Sequence, residues 1–363
     1  MRILHVSSAN TYGGGERHFV DLCRELQARG HEVFAALRPT NEWQKRLDFL
    51  PPENLLHVSI RNSFGVLSAM RIAEFVRDNR IEIVHAHVAR DYIPASIACL
   101  AAKDSKFVLT RHLLFPLKPF NRFALKNLSK AIAVSDSVGE GLRKIFPPGK
   151  VEVVYNGIDL AAFDPDSLRA AGEEFRRLHG IPADTPLVGT LGELKELKGQ
   201  RDFVLAAHEA LKEIPDARFV IVGKDNTFDR GFRRELKRLV SVFRMEENFL
   251  WLDWLDDTAG FYSAIDVFVS PSHSESFGLA ILEAMLYGKA IAATGTDGAR
   301  QLFGGVVDVC PINDPVSLSR CIVDLLQHED TRLDLGTSLR KRAGDEFSLQ
   351  RMVDGVEELY RTL

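Results

Sequence analysis

The sequence predicts an α/β protein that is built from two doubly wound parallel sheets. Short apolar runs alternate with amphipathic helical patterns, which is typical of parallel strands joined by crossover helices. The alternation stops at a turn-rich stretch, residues 156–167 (NGIDLAAFDPDS), and then begins again. A chain of 363 residues is also long for a single hydrophobic core. These observations indicate two domains, and we expect a ligand cleft beyond the carboxyl ends of their strands.

Each predicted domain has its own series of strands. Between the first two strands, apolar residues from Phe19 to Leu26 recur at helical spacing, and Gly30 ends that helix. The strands predicted in the first domain span residues 2–8, 32–37, 83–87, 106–112, 131–135 and 151–157. Those predicted in the second domain span residues 187–194, 217–225, 248–257, 264–272, 290–298 and 305–310. We place the first Rossmann-like domain at residues 1–163 and the second at 164–346, followed by an amphipathic helix at 347–363.

Composition is that of an ordinary globular protein, with 45% hydrophobic and 26% charged residues. No apolar stretch reaches the roughly 18 residues that span a bilayer, and the N-terminus does not resemble a signal peptide. The four cysteines are scattered without metal or redox spacing, so we expect a reducing, cytoplasmic setting. Residues 1–160 hold 22 Lys and Arg against 16 Asp and Glu, whereas the remainder holds 24 against 34. The basic half could face an acidic partner, and chance variation in surface charge is an equal alternative.

Residues 274–290 (SESFGLAILEAMLYGKA) place a carboxylate, that of Glu283, in the middle of an apolar helix. A buried carboxylate is costly unless it is hydrogen-bonded, and a ribose diol would be a suitable partner. The predicted helix begins near Phe277 or Gly278, where free N–H groups form a site for phosphate. Glu275, just before that helix, could accept hydrogen bonds from sugar hydroxyls. The alternative is that Glu283 reaches solvent and that Glu275 caps the helix.

Three glycines, Gly13–Gly15, follow the first predicted strand. They permit close approach of the backbone to an anion or a sugar, although an ordinary strand-to-helix turn would have the same composition. The stretch lacks the spacing of a dinucleotide fingerprint and the Lys-Ser or Lys-Thr of a P-loop. Arg111 and His112 stand at the carboxyl end of another strand, from which they can reach the cleft. His85 and His87 alternate on a strand without a partnering carboxylate pattern, so we expect no metal site.

Glu275 and Glu283, with seven residues between them, resemble the E-x7-E signature of retaining glycosyltransferases of the GT-B fold. The resemblance to the large bacterial glycosyltransferase family four (group 1) covers essentially the whole chain. It implies two Rossmann-like doubly wound parallel-sheet domains facing a cleft, with the helix at 347–363 packing back onto the first. It also implies that Glu283 binds the nucleotide ribose and that Glu275 contacts the donor sugar. The diphosphate would then be held by the backbone amides of Phe277, Gly278 and Leu279.

The same resemblance implies roles in the first domain. Gly14 and Gly15 would contact the ligands where donor and acceptor meet, with Glu16 on the acceptor side. His112 would hydrogen-bond a hydroxyl of the transferred sugar and support developing positive charge. Arg111, beside it, would touch phosphate or acceptor.

Residues 191–200 (LGELKELKGQ) depart from the pattern of the family. The family has Gly-Arg at the start of this loop and Lys-Gly at its end, and both cations hold the diphosphate. Lys198 matches, but Glu193 stands in place of the arginine. A carboxylate beside a diphosphate would repel it, so we expect Glu193 to point away. Either Lys195 supplies the missing positive charge or the diphosphate is held more weakly. An exposed charged loop without function is the alternative. Base contacts, mainly through backbone atoms, are implied for Asp225, Trp254 and Leu255.

Residues 113–130 (LLFPLKPFNRFALKNLSK) combine apolar side chains with four cations. Lys118, Arg122, Lys126 and Lys130 are spaced by four, so a helix would align them in a stripe beside apolar residues. Such a surface suits peripheral contact with an anionic membrane at its inner face. An ordinary surface helix is the alternative.

Taken together, the resemblance implies a metal-independent, retaining hexosyl- or glycosyltransferase. It would move a sugar from a nucleotide-diphosphate sugar, bound in the second domain, to a hydroxyl of a glycan or lipid-linked acceptor, bound in the first. Synthesis of cell-envelope polysaccharide or lipopolysaccharide is the expected context. No cofactor beyond the donor substrate and no nucleic-acid partner are expected. A sugar-nucleotide epimerase-like enzyme on the same fold and a non-catalytic nucleotide-sugar-binding protein remain open as alternatives.

Overall fold

A computed structural model describes residues 1–60, 65–160, 165–227 and 229–363. The chain divides into two compact units, one formed by residues 1–157 together with 349–363 and the other by residues 158–348. The predicted boundary between residues 163 and 164 lies outside the described residues. Among the described helices, none is both long and apolar enough to cross a membrane.

The first unit contains a seven-stranded parallel sheet. Its strands are β1 (Arg2–Ser7), β2 (Glu32–Leu37), β3 (Leu55–His57), β4 (Ile83–Ala86), β5 (Lys106–Arg111), β6 (Leu128–Ala133) and β7 (Val151–Val153). They lie in the order β3-β2-β1-β4-β5-β6-β7, and each neighbouring pair is parallel. The near-continuous apolar runs of these strands suit a sheet that helices cover on both faces. Strand β3 was not predicted from the sequence.

The helices of the first half include α1, which begins earlier than the sequence predicted. They are α1 (Gly14–Ala28), α2 (Val66–Asp78), α3 (Tyr92–Ala102), α4 (Asn121–Ala124) and α5 (Asp136–Arg143). Gly14 and Gly15 therefore belong to the first turn of α1 and not to a loop before it. Their backbone N–H groups lie at a helix start, where such groups lack intrahelical acceptors.

The helical stripe of cations predicted across residues 113–130 is wrong. Helix α4 covers only Asn121–Ala124, and Lys130 lies in β6. Pro116 and Pro119 explain the difference, because each removes a backbone donor and disfavours helical geometry in the residue before it. Lys118, Arg122 and Lys126 consequently lie on a mostly irregular segment.

The second unit contains a five-stranded sheet with the order β10-β9-β8-β11-β12. Its strands are β8 (Leu187–Leu191), β9 (Arg218–Val222), β10 (Phe249–Leu252), β11 (Val267–Ser270) and β12 (Ala290–Ala293). All neighbouring pairs are parallel. The strand predicted at residues 305–310 is reduced to one isolated bridge between Cys310 and Thr294.

Helices connect these strands and cover the sheet. They are α6 (Pro165–Leu178), α7 (Gln200–Ala210), α8 (Gly231–Val242), α9 (Ala259–Ala264), α10 (Leu279–Leu286), α11 (Asp297–Phe303), α12 (Pro315–Gln327) and α13 (Glu329–Glu346). The strand order changes direction between β8 and β11, which lie side by side. Loops that follow such a pair of strands form the usual ligand site of an open α/β sheet.

The final helix, α14 (Leu349–Arg361), belongs to the first unit. Its apolar face joins the core that α1 also lines, so that Met352 and Val356 share one buried cluster with Phe19. The Tyr360 hydroxyl lies 2.5 Å from Nδ1 of His85, which is buried in β4. The core of the first unit therefore includes residues from both ends of the described chain.

Candidate functional site

The start of α10 presents backbone N–H groups, and its N-cap residue, Gly278, has no side chain to cap them. Gly278 precedes the helix with φ 99°, a left-handed conformation that favours glycine. The loop before it is held by a hydrogen bond from the Gly298 N–H to the Glu275 carbonyl oxygen, at 3.1 Å. A Cβ on Gly298 would lie 2.6 Å from the Phe277 carbonyl oxygen, so only glycine lets α11 approach this closely. Backbone N–H groups at a helix start suit an anion, which is the role predicted for those of Phe277, Gly278 and Leu279.

Glu283 is buried in α10, with 7% of its surface exposed. The Tyr262 hydroxyl in α9 donates a hydrogen bond to its carboxylate at 2.8 Å and also lies 3.1 Å from the Ala280 carbonyl oxygen. The alternative that Glu283 reaches solvent is therefore wrong. Tyr262 is a residue that sequence reasoning missed, since the AGFYSA stretch carries no signal for a carboxylate partner.

Lys198 and Glu275 meet in the second unit, although 77 positions separate them in sequence. The Lys198 Nζ lies 2.5 Å from the Glu275 Oε2. Their loops follow β8 and β11, and Gly199 brings them together, since a Cβ there would lie 1.9 Å from the Pro271 carbonyl oxygen. The adjacent pair of His273 and Asp202, at 2.8 Å, joins the same two segments. A cation and an acid predicted to bind different parts of one ligand thus stand in direct contact.

Glu193 is the acid that stands where the family has arginine. Its carboxylate lies 2.6 Å from the Lys195 Nζ and accepts a hydrogen bond from the Asn226 side chain at 3.1 Å. Desolvation raises the pKa of Glu193, but these two hydrogen bonds, together with the charges of Lys195 and Lys198, lower it below the ordinary value. Lys195, which could supply the missing positive charge, is thus paired with Glu193.

The three residues predicted to contact the nucleotide base differ in the contacts that their side chains make. Asp225 is buried, and its carboxylate accepts hydrogen bonds from the backbone N–H groups of Thr227 and Arg233, each at 2.9 Å. That carboxylate therefore organises the loop before α8. Trp254 is half exposed and donates to Asp256 at 3.2 Å, and Leu255 is partly buried.

In the first unit, Gly15 lies against His112. A Cβ on Gly15 would stand 3.7 Å from Cγ of His112, which is ordinary van der Waals contact. Burial, with the nearby His18 and Arg111, holds the pKa of His112 well below its usual value. Its imidazole is therefore neutral near pH 7. Desolvation raises the pKa of Glu16, against the opposing effect of backbone N–H groups at Gly13 and Glu16.

His112 belongs to a cluster of buried histidines that sequence reasoning recognised only in part. The rings of His18 and His112 meet edge to face at 4.9 Å, and those of His87 and His112 stack at 6.0 Å. Burial is the main cause that lowers the pKa of His5 to about 3 and that of His18 to about 4. His85 and His87 have pKa values well below the usual range for the same reason.

Two overlapping triplets in this cluster have ring nitrogens within 4.8 Å of one another, close enough to hold a metal ion. The first comprises His5, His85 and His87, and the second His18, His87 and His112. In the first triplet, His85 already uses its two nitrogens with Tyr360 and Thr110. His5 and His87 bond to each other at 3.0 Å. The expectation of no metal remains a prediction.

Two further charged groups of the first unit are buried. Arg111 is buried and donates a hydrogen bond to the Phe115 carbonyl oxygen. Asp91 is fully buried and accepts a hydrogen bond from the Ser8 N–H at 2.7 Å. Burial raises the pKa of Asp91 to about 6, and sequence reasoning missed this carboxyl group.

Two family models match the chain, one in each half. Residues 12–162 match the model of Glycosyltransferase Family 4, and residues 185–328 match that of Glycosyl transferases group 1. The chain is 25% identical over 372 residues to N-acetyl-alpha-D-glucosaminyl L-malate synthase of Bacillus anthracis, covering 96% of this chain and 93% of that protein. It is 26% identical to a lipopolysaccharide core biosynthesis mannosyltransferase of Rhizobium leguminosarum, covering 70% of this chain and 74% of the relative.

Solved structures share the fold. HepE of Anabaena, crystallised with UDP, superposes with a TM-score of 0.87 at 19% identity, and all of each chain is covered. A glycosyltransferase from Rickettsia africae gives a TM-score of 0.85 at 24% identity, covering 99% of this chain and 98% of that one. The predicted fold class, two parallel-sheet α/β domains of GT-B type, is confirmed. The chain belongs to the glycosyltransferases, with a family 4 region followed by a group 1 region.

Proposed function

We propose that the protein is a retaining glycosyltransferase that moves a sugar from a nucleotide-diphosphate sugar to a hydroxyl of a glycan or lipid-linked acceptor. The observation that carries the proposal is the surroundings of α10 in the second unit. The backbone amides at the start of α10 and Lys198 suit a diphosphate, Glu275 suits the sugar, and buried Glu283 suits the ribose. The base would contact Asp225, Trp254 and Leu255 through backbone atoms.

In the proposed reaction, the bond between C1 of the donor sugar and the diphosphate oxygen breaks. The amides of α10 and Lys198 stabilise the departing diphosphate as its charge develops. The acceptor oxygen bonds to C1 on the same face, and its proton passes to the departing phosphate oxygen. Atoms and charge balance without a metal ion, and the anomeric configuration is retained.

The first unit supplies the acceptor side in this proposal. A neutral His112 can accept a hydrogen bond from a sugar hydroxyl and does not repel positive charge that develops on the sugar ring. Because His112 lies against Gly15, the start of α1, which includes Gly14 and Glu16, would contact the same ligands as His112. Arg111, which donates a hydrogen bond to the Phe115 carbonyl oxygen, would contact phosphate or acceptor.

We further propose that the acceptor is a component of the cell envelope and that the enzyme works at the inner face of the membrane. Relatives named for lipopolysaccharide synthesis support the first part. The segment 113–127 supports the second, because Phe115 and Phe123 are 62% and 78% exposed beside Lys118 and Arg122. Co-sedimentation with phosphatidylglycerol vesicles at low salt tests the contact. Phe123→Ser should reduce binding, and absence of sedimentation by the parent protein would refute it.

The reaction is tested in two steps. A thermal-shift panel of UDP, GDP, ADP and their sugars identifies the nucleotide, and NMR of the product then reports the anomeric configuration. Retention with EDTA present supports the proposal, and inversion refutes it. Conversion of the sugar nucleotide without an acceptor would indicate an epimerase-like enzyme. Binding without any turnover across acceptors would indicate a non-catalytic binding protein.

A further inference from the structure

Cys310 and Cys321 lie side by side in the second unit, and neither belongs to the proposed donor site. Their Sγ atoms are 3.0 Å apart, although 11 positions separate the residues in sequence. Cys310 is buried and Cys321 is partly exposed. The spacing of the cysteines in the sequence did not indicate this pair.

The backbone around each cysteine holds the pair together. Cys310 is fixed at the carboxyl end of β12, where its N–H donates to the Ala293 carbonyl at 2.8 Å and its carbonyl accepts from the Gly295 N–H at 2.9 Å. Cys321 lies in α12, and side chains in a helix lean toward its N-terminus, here toward the turn at Ser317. The Cys310 Sγ lies 3.7 Å from the Ser317 carbonyl oxygen, so the two thiols meet over one turn of α12.

The two thiols are chemically different. A hydrogen bond from the Cys310 thiol lowers the pKa of Cys321 to about 7, against desolvation and the charges of Asp324 and Asp308. The same bond, together with burial, raises the pKa of Cys310. Cys321 also lines a surface depression with Arg320 and Asp324, which gives small reagents access to its sulfur. A partly ionised, accessible thiol next to a buried one is the arrangement in which oxidation is selective.

We propose that Cys310 and Cys321 form a reversible intramolecular disulfide, with a hydroperoxide as the oxidant and Cys321 as the attacking thiol. The Cys321 thiolate attacks one peroxide oxygen, which breaks the O–O bond and gives a sulfenic acid and, with hydrogen peroxide, water after protonation. Cys310 then loses its proton and attacks the Cys321 sulfur, which releases the sulfenic oxygen as water. Two thiols lose two electrons, and hydrogen peroxide gains them to become two waters. A dithiol reductant reverses the reaction.

The experiment treats the full-length native protein with hydrogen peroxide, blocks remaining thiols with N-ethylmaleimide and digests with trypsin without reduction. Trypsin cuts after Arg320, between the two cysteines, so a disulfide would join peptide 301–320 to peptide 321–332. We expect this linked species after oxidation and its separation by dithiothreitol. Its absence, with maleimide on each of the two cysteines, would overturn the proposal.

Matched variants assign the roles. Cys99→Ser removes a buried thiol elsewhere and should leave the linkage intact. Cys310→Ser should abolish the linkage and leave Cys321 as a sulfenic acid that dimedone captures. Cys321→Ser should give no comparable capture at Cys310, and capture at an equal rate would overturn Cys321 as the attacking thiol. A disulfide through Cys321 that joins two chains, in place of the internal one, would overturn the intramolecular assignment.

Discussion

Lys198 and Glu275 form an ion pair whose Nζ and Oε2 atoms are 2.5 Å apart, and the two side chains are only 27% and 16% exposed. Lys198 is assigned to the diphosphate and Glu275 to the sugar. In this structure, each of the two side chains therefore binds the other instead of a ligand group. A bound diphosphate would compete with Glu275 for Lys198. The free energy of binding a nucleotide without its sugar would therefore include the free energy needed to separate this ion pair.

We expect Glu275→Gln to bind the nucleoside diphosphate several-fold more tightly than the parent, while its turnover falls. The substitution removes the competing charge but also weakens the grip on the sugar. Isothermal titration measures the affinity, and Glu196→Gln, an exposed acid of the same loop, is the control. Weaker diphosphate binding by Glu275→Gln would contradict the assignment of Lys198 to phosphate.

Glu283→Ala should weaken binding of the ribonucleotide by roughly 10-fold or more, the usual range for a lost hydrogen bond to a charged group. The parent should prefer the ribonucleotide over its 2′-deoxy analogue, and the variant should lose that preference. Tyr262→Phe, which removes only the hydroxyl that contacts Glu283, should keep it. An unchanged preference in Glu283→Ala would place the ribose elsewhere.

Glu193→Gln should strengthen diphosphate binding about 2- to 5-fold, because it frees Lys195 from an ion pair that is largely exposed and therefore weak. The gain should vanish in Glu193→Gln/Lys195→Gln and shrink at high salt. Titrations at two salt concentrations measure it. A gain that survives removal of Lys195 would show that Lys195 is not the group released.

His112→Ala should leave nucleotide affinity within about 2-fold and lower kcat by roughly 100-fold, the scale of losing one group that stabilises the transition state. The substitution touches the first unit, whereas the nucleotide is assigned to the second. His57→Ala, an exposed histidine of the same unit, is the matched control. A loss of nucleotide affinity that equals the loss of turnover would argue against a role at the sugar.

Because the buried histidines have low pKa values, we expect the free energy of unfolding to fall as the solution becomes acidic. His5 and His18 have folded-state pKa values of about 3 and 4, below the unfolded value of 6.5. Their contribution to the free energy of unfolding is therefore present above pH 6.5 and is lost as the pH falls below that value. Asp91, with a folded-state pKa raised to about 6, acts oppositely: its contribution is present below pH 3.8 and is lost as pH rises through 6.

His18→Gln should reduce the slope of unfolding free energy against pH between pH 6 and 4.5 by about 1.4 kcal/mol per pH unit, the value for one proton. Denaturant titrations across this range measure the slope. His57→Gln, which changes an exposed histidine, should leave it unchanged. Equal slopes for parent and His18→Gln would mean that His18 is protonated in the folded protein.

The sequence predicted best where its local pattern was strong. The apolar run around Glu283 has a clear helical length and a glycine at its start, and the structure has α10 there with Gly278 before it. The parallel strands followed from continuous apolar runs between helical patterns. By contrast, residues 113–130 carried a four-residue charge spacing, and the prolines in that segment overrode it.

Contacts between distant residues could not be predicted in this way. Tyr262 as the partner of Glu283, and Cys321 as the partner of Cys310, depend on how helices pack in the second unit. The pairing of Glu193 with Lys195 is local, yet sequence alone left the direction of each side chain open. Periodicity fixes which face of an element is buried, but it does not identify the neighbour on that face.

The Tyr360–His85 contact bears on how the protein is made. Strand β4 emerges from the ribosome long before residues 349–363, yet its buried histidine needs that helix to complete its surroundings. The second unit comprises residues 158–348, so its chain is complete before α14 is synthesised. The earliest-synthesised unit should therefore acquire protease resistance last, and nascent chains halted before residue 349 should expose its unfinished core to chaperones.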